Sequence, residues 1–219
     1  LGTIRASQYF YQLFDKDDLR RDWTIASYSY DGKTGEKIDC ANNYWMRFCG
    51  KFRREYELSN PKDSQYTPIN FPVLRYADVL LMYAEAVAAD PDNDDSQELA
   101  DAYEYLNRIR RRGHGLDIHT PAPAVDLEQA GKSALLDEIK DERARELGFE
   151  LLRKDDLVRW GELYDRMQAI RSTIPDHYTS SYYVAARLYY GNVSRRDIVW
   201  PIPSYELGVN RRLVQNEGF

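Results

Sequence analysis

The sequence predicts a mainly α-helical fold, and two observations carry that prediction. Apolar residues recur at helical spacing through residues 71–113, and a densely charged stretch with similar periodicity covers residues 133–170. The flanking segments, residues 1–70 and 171–219, are irregular and rich in aromatic residues. We therefore expect one domain over the whole chain, built as an α-α helical scaffold with long aromatic loops and at most a short β-hairpin.

The first seventy residues show no helical period. "YDGKTGEK" (Tyr30–Lys37) predicts turns, because Gly32 and Gly35 interrupt it. "NYWMRFCGKFRREYEL" (Asn43–Leu58) roughly alternates aromatic and charged residues, which indicates a short strand or hairpin. We expect irregular structure from there to residue 70.

The next segment predicts two helices. "FPVLRYADVLLMYAEAVAAD" (Phe71–Asp90) and "SQELADAYEYLNRIRRRG" (Ser96–Gly113) both place apolar residues at the i, i+3, i+4, i+7 spacing of a helix with one buried face. Pro72 precedes the first helix, where a missing N–H costs least. The short polar turn between the helices predicts an antiparallel helical hairpin, close in length to a tetratricopeptide repeat.

The charged stretch contains "DERARELGFELLRKDDLVRWG" (Asp141–Gly161), in which eleven of twenty-one residues are charged. Its glutamates lie four residues apart, so they share one face of a helix and can meet arginines of that helix or of the hairpin, such as Arg75 and Arg108. We expect Trp160 to face the core. The structural ion-pair network that we predict comprises Glu142, Arg143, Glu146, Glu150 and Arg153.

Two catalytic interpretations of these carboxylates fail. A di-iron site needs Glu-x-x-His twice, and none of His114, His119 and His177 stands three residues after a glutamate. A glycosidase acid needs a raised pKa, whereas the nearby arginines would keep these carboxylates ionised. We therefore predict no catalytic residues and no enzyme.

Composition excludes further classes. The chain has 30 Lys+Arg against 36 Asp+Glu, a net charge of −6, which argues against binding to nucleic acid. The longest apolar stretch, Val79–Ala89, is too short for a membrane span and contains Glu85. "LGTIRASQYF" at the start shows no signal-peptide pattern and no initiator Met, so a targeting signal would lie upstream.

No metal or cofactor is predicted. Cys40 and Cys49 have no partners that would complete a zinc pattern, and the sequence leaves a local disulfide and two free thiols equally open. "DPDNDDS" (Asp90–Ser96) lacks the Gly and the closing Glu of a calcium loop, so we expect a solvated turn.

Aromatic residues are the compositional peculiarity, because the chain has 18 Tyr. Tyr and Trp offer flat apolar faces with a polar tip, which suits the binding of sugar rings. Tyr and Trp are concentrated in two segments, "NNYWMR" (Asn42–Arg47) and "HYTSSYYVAARLYY" (His177–Tyr190). The second segment also fits a short amphipathic helix. In both segments the alternative role of the aromatic residues is local packing. The candidate ligand-binding residues are Tyr44, Trp45, Tyr182 and Tyr183.

Four segments stand in order along the chain: "NFPVLRYADVLLMYAEAV" (Asn70–Val87), "YLNRIRRRG" (Tyr105–Gly113), "DERARELGFE" with the "DLVRWG" that follows it, and "WPIPSYEL" with the residues to Phe219. Together they resemble the C-terminal region of SusD/RagB-type proteins. One departure from that pattern follows "FE", where the family has a Gly and then an aromatic pair, and this chain has Leu151–Leu152 and Lys154–Asp155. The departure concerns helix packing and leaves the implied function unaffected.

This resemblance implies a lipid-anchored, non-enzymatic binding protein on the cell surface of a Gram-negative outer membrane. Such proteins capture glycans, or sometimes peptides, for a SusC-like TonB-dependent barrel transporter. It further implies that the chain lacks an N-terminal half that carries the lipid anchor. The alternative from another class is a tetratricopeptide-type protein–protein scaffold without a small ligand, which the helical hairpin would fit.

Overall fold

The computed structural model of the chain describes residues 4–40, 46–63 and 65–219. It confirms the mainly helical fold class, with one small two-stranded sheet in the part described. The chain divides into two compact units, Leu1–Arg153 and Lys154–Phe219, and each is described by itself. The single domain stays a prediction.

The helices and strands follow the chain in a simple order. Unit 1 holds α1 (Gln8–Gln12), α2 (Leu19–Thr24), β1 (Tyr28–Tyr30), β2 (Lys37–Asp39), α3 (Tyr76–Ala89), α4 (Ser96–Gly113) and α5 (Lys132–Leu147). Helix α6 (Arg153–Arg159) begins at the boundary, and unit 2 continues with α7 (Leu163–Ser172), α8 (Ser181–Gly191) and α9 (Ser204–Val209). None of the helices in these described ranges has the length and apolar content that a membrane crossing requires.

Helices α3 and α4 form the predicted hairpin, and α5 packs against both. The core between the three helices is apolar, and Leu81, Leu106, Leu135 and Ile139 are fully buried in it. Asp95 caps α4, because its Oδ1 accepts from the backbone N–H of the second and third helical residues. The periodicity of the sequence located both helices of the hairpin, but α3 begins at Tyr76, and Val73 and Leu74 are exposed before it instead of lying on its buried face.

The β-hairpin is present at a different place from the one that the sequence indicates. Strands β1 and β2 are antiparallel, with Tyr28 opposite Asp39. The turn between them is held by Asp31, whose Oδ1 accepts from two backbone N–H groups, and by Gly35, whose φ is 72°. In residues 46–58 the chain makes only isolated bridges and a short 3-10 turn, so a hairpin there is wrong for the described part.

The charged stretch is three helices separated by turns. Helix α5 ends at Leu147 with Gly148 as its C-cap, and the next turn has positive φ values at Phe149 (64°) and Leu151 (66°). Gly161, with φ 71°, lies in the turn between α6 and α7. Positive φ is costly for a residue other than glycine, and the Phe149 ring packs edge-on against Phe10 at 5.7 Å between centroids. This packing holds Phe149 in place, whereas Leu151 is 74% exposed.

Unit 2 has its own small apolar core. Leu157, Leu163 and Met167 are buried there, and the half-buried Trp160 packs against them, as the sequence predicts. The segment "YYVAARLYY" forms α8 and is not a loop, so the helical alternative for this segment is correct.

Candidate functional site

The charged side chains of α5 are buried and paired. Glu142 is fully buried, its Oε1 accepts from Arg20 Nη1 at 2.6 Å, and its Oε2 accepts from Arg145 Nε at 2.8 Å. Arg20 also donates from Nη2 to Asp18 at 2.7 Å. Because Arg20 belongs to α2, Glu142 ties α5 to α2 through a charge pair that is shielded from water.

Glu146 and Glu150 bind the residue that precedes α3. Arg75 donates to Glu146 Oε1 at 2.8 Å and to both oxygens of Glu150 at 2.9 and 2.8 Å. Arg112 Nη2 lies 2.5 Å from Glu146 Oε2. Lys51 donates to the carbonyl oxygen of Glu146 at 2.7 Å and to the carboxylate of Glu150. These contacts hold the C-terminal end of α5 against both helices of the hairpin.

The arginines of the predicted network have other partners. Arg143 Nη1 donates to Asp78 Oδ1 at 2.9 Å, which links α5 to α3. Arg153 Nη1 donates to a backbone carbonyl oxygen of α5 at 2.8 Å. Arg108, one of the two expected hairpin partners, instead donates to Glu104 of its own helix at 3.0 Å.

The electrostatics of this cluster keep its carboxylates ionised. Burial alone would raise the pKa of Glu142, but Arg20 and Arg145 outweigh it and lower the pKa from 4.5 to about 2. The pKa of Glu146 is also lowered, because Arg112 and Arg20 outweigh its burial. The pKa values of Glu55, Glu104 and Asp126 are lowered as well, through hydrogen bonds from neighbouring tyrosines or arginines. A general acid requires the opposite shift.

Four aromatic residues of unit 2 pack together around the start of α8. Tyr178 and Tyr183 are stacked, with ring centroids 4.5 Å apart and planes 24° apart. Tyr182 and His177 extend the group, each 4.5 Å from its neighbour. Tyr178 is 42% exposed, whereas Tyr182 and Tyr183 are half-buried. We call these four residues the aromatic cluster; it contains Tyr182 and Tyr183 from the sequence prediction and adds Tyr178 and His177.

Hydrogen bonds fix the loop that carries Tyr178. Arg187 of α8 donates from Nη1 to the carbonyl oxygens of Pro175 and Tyr178 at 2.9 and 2.8 Å. Arg171 donates to Asp176 at 2.6 Å. The ring of Tyr178 is therefore presented on an anchored loop, which lowers the entropic cost of binding a flat ligand.

The other predicted binding residues, Tyr44 and Trp45, lie outside the described residues and stay a prediction. Unit 1 has an aromatic cavity of about 560 Å³ that includes Met46 in its wall. Sequence reasoning missed this cavity, although the alternation Tyr-Ser-Tyr before a glycine turn was visible. Its aromatic and charged lining includes Tyr28, Tyr30, Phe48, Phe52, Arg53 and Glu55.

The polar groups of this cavity bind one another. Tyr28 and Tyr30 both donate their hydroxyl groups to Glu55, the second at 2.6 Å. Their hydrogen bonds lower the pKa of Glu55. Lys37 Nζ lies 4.2 Å from the centroid of the Tyr28 ring. The cavity therefore offers aromatic surface and a fixed carboxylate, which suits binding better than proton transfer.

In the parts of the chain that the structure describes, no group of three or more His, Cys, Asp and Glu side chains could hold a metal ion. The ammonium group of Lys132 is bonded to the acidic turn after α3. Lys132 Nζ donates to the carbonyl oxygen of Asp90 at 2.8 Å and to that of Asn93. Its ammonium group thus ties the start of α5 to the backbone of this turn.

Cys40 and Cys49 are both free thiols. The backbone N–H of Cys40 donates to the carbonyl oxygen of Ser27 at 2.7 Å, and Cys49 forms an isolated antiparallel β-bridge with Ile25 through the backbone. Of the two possibilities that the sequence left open, the structure has the free thiols.

Residues 3–219 match the SusD family, and the chain belongs to that family. A curated relative, the SusD-like protein P25 of Formosa agariphila, is 31% identical over 147 residues, which is 66% of this chain and 23% of the relative. A solved SusD homolog from Bacteroides thetaiotaomicron is 26% identical with a TM-score of 0.74, over 93% of this chain and 41% of that one.

A second solved structure, a SusD superfamily protein from Bacteroides vulgatus, shares the fold with a TM-score of 0.60 at 23% identity. That match covers 97% of this chain and 44% of the other. The chain thus spans less than half the length of the solved relatives and about a quarter of the curated one.

Proposed function

We propose that this protein is a non-enzymatic binding protein of the outer-membrane surface that captures glycan or peptide nutrients. In this proposal a lipid anchor holds it to the membrane, and it passes its ligand to a SusC-like TonB-dependent barrel transporter. Membership of the SusD family over residues 3–219 supports the class of the protein.

The observation that carries the proposal is the aromatic cluster. Its rings are stacked, and its outermost member, Tyr178, is 42% exposed on a loop that Arg187 anchors. A flat, partly exposed ring surface of this kind binds the apolar faces of sugars or of aromatic side chains without any reactive group. Glycans are the first candidate and peptides the second.

The non-enzymatic part of the proposal rests on the carboxylates. The glutamates that could form a catalytic pair, Glu142, Glu146 and Glu150, are buried and bonded to arginines. The pKa values of Glu142 and Glu146 are lowered, so neither is poised to donate a proton at neutral pH. We expect no hydrolysis of any bound glycan, either by the wild type or by Glu146→Gln and Glu150→Gln variants.

The test is binding of the full-length protein to a panel of soluble polysaccharides and peptides, by affinity electrophoresis followed by calorimetry. We expect Tyr178→Ala with Tyr183→Ala to weaken binding of the ligand at least about tenfold. Tyr189→Ala is the matched control, because Tyr189 is an exposed ring of α8 outside the aromatic cluster.

Equal loss of affinity in the control would place the site elsewhere on α8. Unchanged affinity in the double variant would exclude the aromatic cluster, and the cavity at Tyr28 and Tyr30 would be the next candidate. If nothing on the panel binds and a barrel transporter still co-purifies, the protein–protein scaffold is the better description. Turnover by wild type that a glutamate variant abolishes would overturn the non-enzymatic assignment.

A further inference from the structure

Two of the rings and one carboxylate in the wall of the unit 1 cavity already hold a positive charge, which the chain itself supplies. Lys37 of β2 stands opposite Tyr30, and its Nζ lies 4.2 Å from the centroid of the Tyr28 ring and 5.8 Å from that of the Tyr30 ring. The same Nζ lies 3.7 Å from Glu55 Oε2. Aromatic faces and a carboxylate around one ammonium group are the elements of a site that recognises cations.

The carboxylate of this site is ionised and held in position. Tyr28 and Tyr30 donate their hydroxyl groups to Glu55, and these hydrogen bonds lower the pKa of Glu55. The two tyrosines that present their rings to the ammonium group therefore also orient the carboxylate beside it. A site that is ordered in this way before a ligand arrives loses little conformational freedom when the ligand binds.

Lys37 is held less firmly than the other cation near the two rings. Its side chain is 58% exposed, and an exposed ion pair of this kind is weak. The side chain of Arg53 is only 13% exposed. Arg53 donates to three backbone carbonyl oxygens at 2.6 to 3.0 Å, those of Asp22, Trp23 and Gly50. An incoming ammonium group can thus replace that of Lys37 while Arg53 keeps its bonds.

The cavity has room for more than an ammonium group. Its volume of about 560 Å³ lies in the range of cavities that bind small ligands. Met46, Phe48 and Phe52 give part of its lining an apolar character, which suits an alkyl chain. A lysine side chain combines such a chain with an ammonium group that is charged at neutral pH.

We propose that the cavity between the β1–β2 hairpin and residues 46–55 binds the ammonium group of a lysine side chain in a peptide, and that Lys37 occupies the position of this group until the ligand replaces it. The cavity lies wholly within unit 1. The inference does not depend on the proposed capture of a ligand at the aromatic cluster.

The test measures binding of Nα-acetyl-lysine amide to the full-length protein by calorimetry. Nα-acetyl-norleucine amide is the matched ligand, because it has the same alkyl chain without the ammonium group. We expect saturable binding of the lysine compound only. Glu55→Gln keeps an acceptor for the tyrosine hydroxyl groups but removes the charge, so it should weaken this binding at least about tenfold. Glu128→Gln, which removes an exposed charge outside the cavity lining, is the control and should bind as wild type does.

A second variant has the opposite expected effect. Lys37→Met removes the competing ammonium group, so the affinity for Nα-acetyl-lysine amide should rise about threefold or more. Lys33→Met is the control, because Lys33 is exposed in the turn of the same hairpin and its removal changes the net charge equally. A purely structural role of Lys37 would not raise the affinity.

Cys49 provides a readout in the unsubstituted protein. It lines the cavity and is half-buried, whereas Cys40 is buried. At about ten times its Kd, Nα-acetyl-lysine amide should slow the alkylation of Cys49 by iodoacetamide at least about fivefold, because the occupied cavity excludes the reagent. The norleucine compound should leave the rate unchanged, and neither compound should change the rate at Cys40.

Three results would overturn the inference. Equal binding of the two compounds, or binding of neither, would mean that the cavity does not select an ammonium group. Unchanged affinity in Glu55→Gln would remove the carboxylate from the site. Affinity in Lys37→Met no higher than in Lys33→Met would show that Lys37 does not occupy the position of the ligand.

The aromatic cluster is tested separately from this cavity. Tyr178→Ala with Tyr183→Ala should leave the affinity for Nα-acetyl-lysine amide unchanged, since both residues belong to unit 2. Failure of the aromatic cluster as a binding site and failure of the cavity as an ammonium site are therefore different experimental results.

Discussion

The core around α5 and the aromatic cluster before α8 use their polar and aromatic groups in opposite ways. Around α5, charged side chains are buried and each glutamate is bonded to basic residues, so their groups are fully engaged within unit 1. In the aromatic cluster, rings stack on one another and Tyr178 keeps part of its surface open to solvent. The charged groups around α5 are therefore poorly placed to bind a ligand, whereas the aromatic cluster has exposed ring surface that a ligand can contact.

The comparison shows that a high local density of charged residues does not by itself indicate a functional site. The charged stretch from Asp141 to Gly161 is the most conspicuous feature of the sequence, yet the structure uses it to join helices. Buried pairs contribute modestly over apolar packing but are costly to break. Substitutions in the charged core should therefore reduce stability, and substitutions in the aromatic cluster should reduce binding.

The largest effect is expected from Glu142→Gln. The amide keeps the shape of the side chain but removes the negative charge between Arg20 and Arg145 at a fully buried position. Asp18 and Glu138 still pair with these arginines but do not replace the charge inside the core. We expect a loss of about 3–5 kcal/mol in the free energy of unfolding, measured by urea denaturation.

The control for Glu142→Gln is Asp165→Asn. Asp165 pairs with Arg195 at 3.3 Å, and both side chains are about 70% exposed. Such a pair contributes about 0–1 kcal/mol. If the two variants lost equal stability, burial would not be what distinguishes the charged core.

Acid should weaken the same core. The pKa of Glu142 is lowered from 4.5 to about 2 in the folded chain, so its contribution is fully present above pH 4.5 and is lost as the pH falls towards 2. The loss from this group is on the order of 3 kcal/mol. The unfolding free energy of wild type should fall more steeply over this range than that of Glu142→Gln, and parallel curves would contradict the assignment.

A smaller effect is expected from Lys51→Met. Lys51 donates to the carbonyl oxygens of Glu146 and Gly148 and to the carboxylate of Glu150, but Arg75 still pairs with both glutamates when the ammonium group is removed. We expect a loss of about 1–3 kcal/mol in urea denaturation. Lys33→Met in the exposed hairpin turn is the control, and a loss no greater than that of the control would show that Lys51 does not hold the end of α5.

How far the sequence predicts this fold depends on the distance over which residues interact. The α3–α4 hairpin and the shared face of the α5 glutamates follow from local periodicity, and Arg75 was among the expected partners. The pairing of Arg20 with Glu142 joins positions 122 residues apart, which no local pattern indicates. Gly148 and Gly161 are recognisable in the sequence as ends of helices, but the positive φ values at Phe149 and Leu151 are not, because these residues do not favour that conformation.

The candidate site shows the same limit. Composition pointed to Tyr182 and Tyr183, but Tyr178, the ring that stacks on Tyr183, lies on a loop that is anchored by hydrogen bonds from Arg187. The cavity at Tyr28 and Tyr30 depends on contacts between the β1–β2 hairpin and residues 46–55. Tyr44 and Trp45 remain predicted binding residues.

The smallest effect on stability is expected from Tyr178→Ala, which completes the contrast with Glu142→Gln. The ring is 42% exposed and its contacts are with His177 and Tyr183, so its removal should cost about 1 kcal/mol or less in urea denaturation. Its effect on ligand affinity should be the larger one, since the ring forms the open side of the aromatic cluster. A loss of stability close to that of Glu142→Gln, with ligand affinity unchanged, would make Tyr178 part of the scaffold and erase the distinction between the two regions.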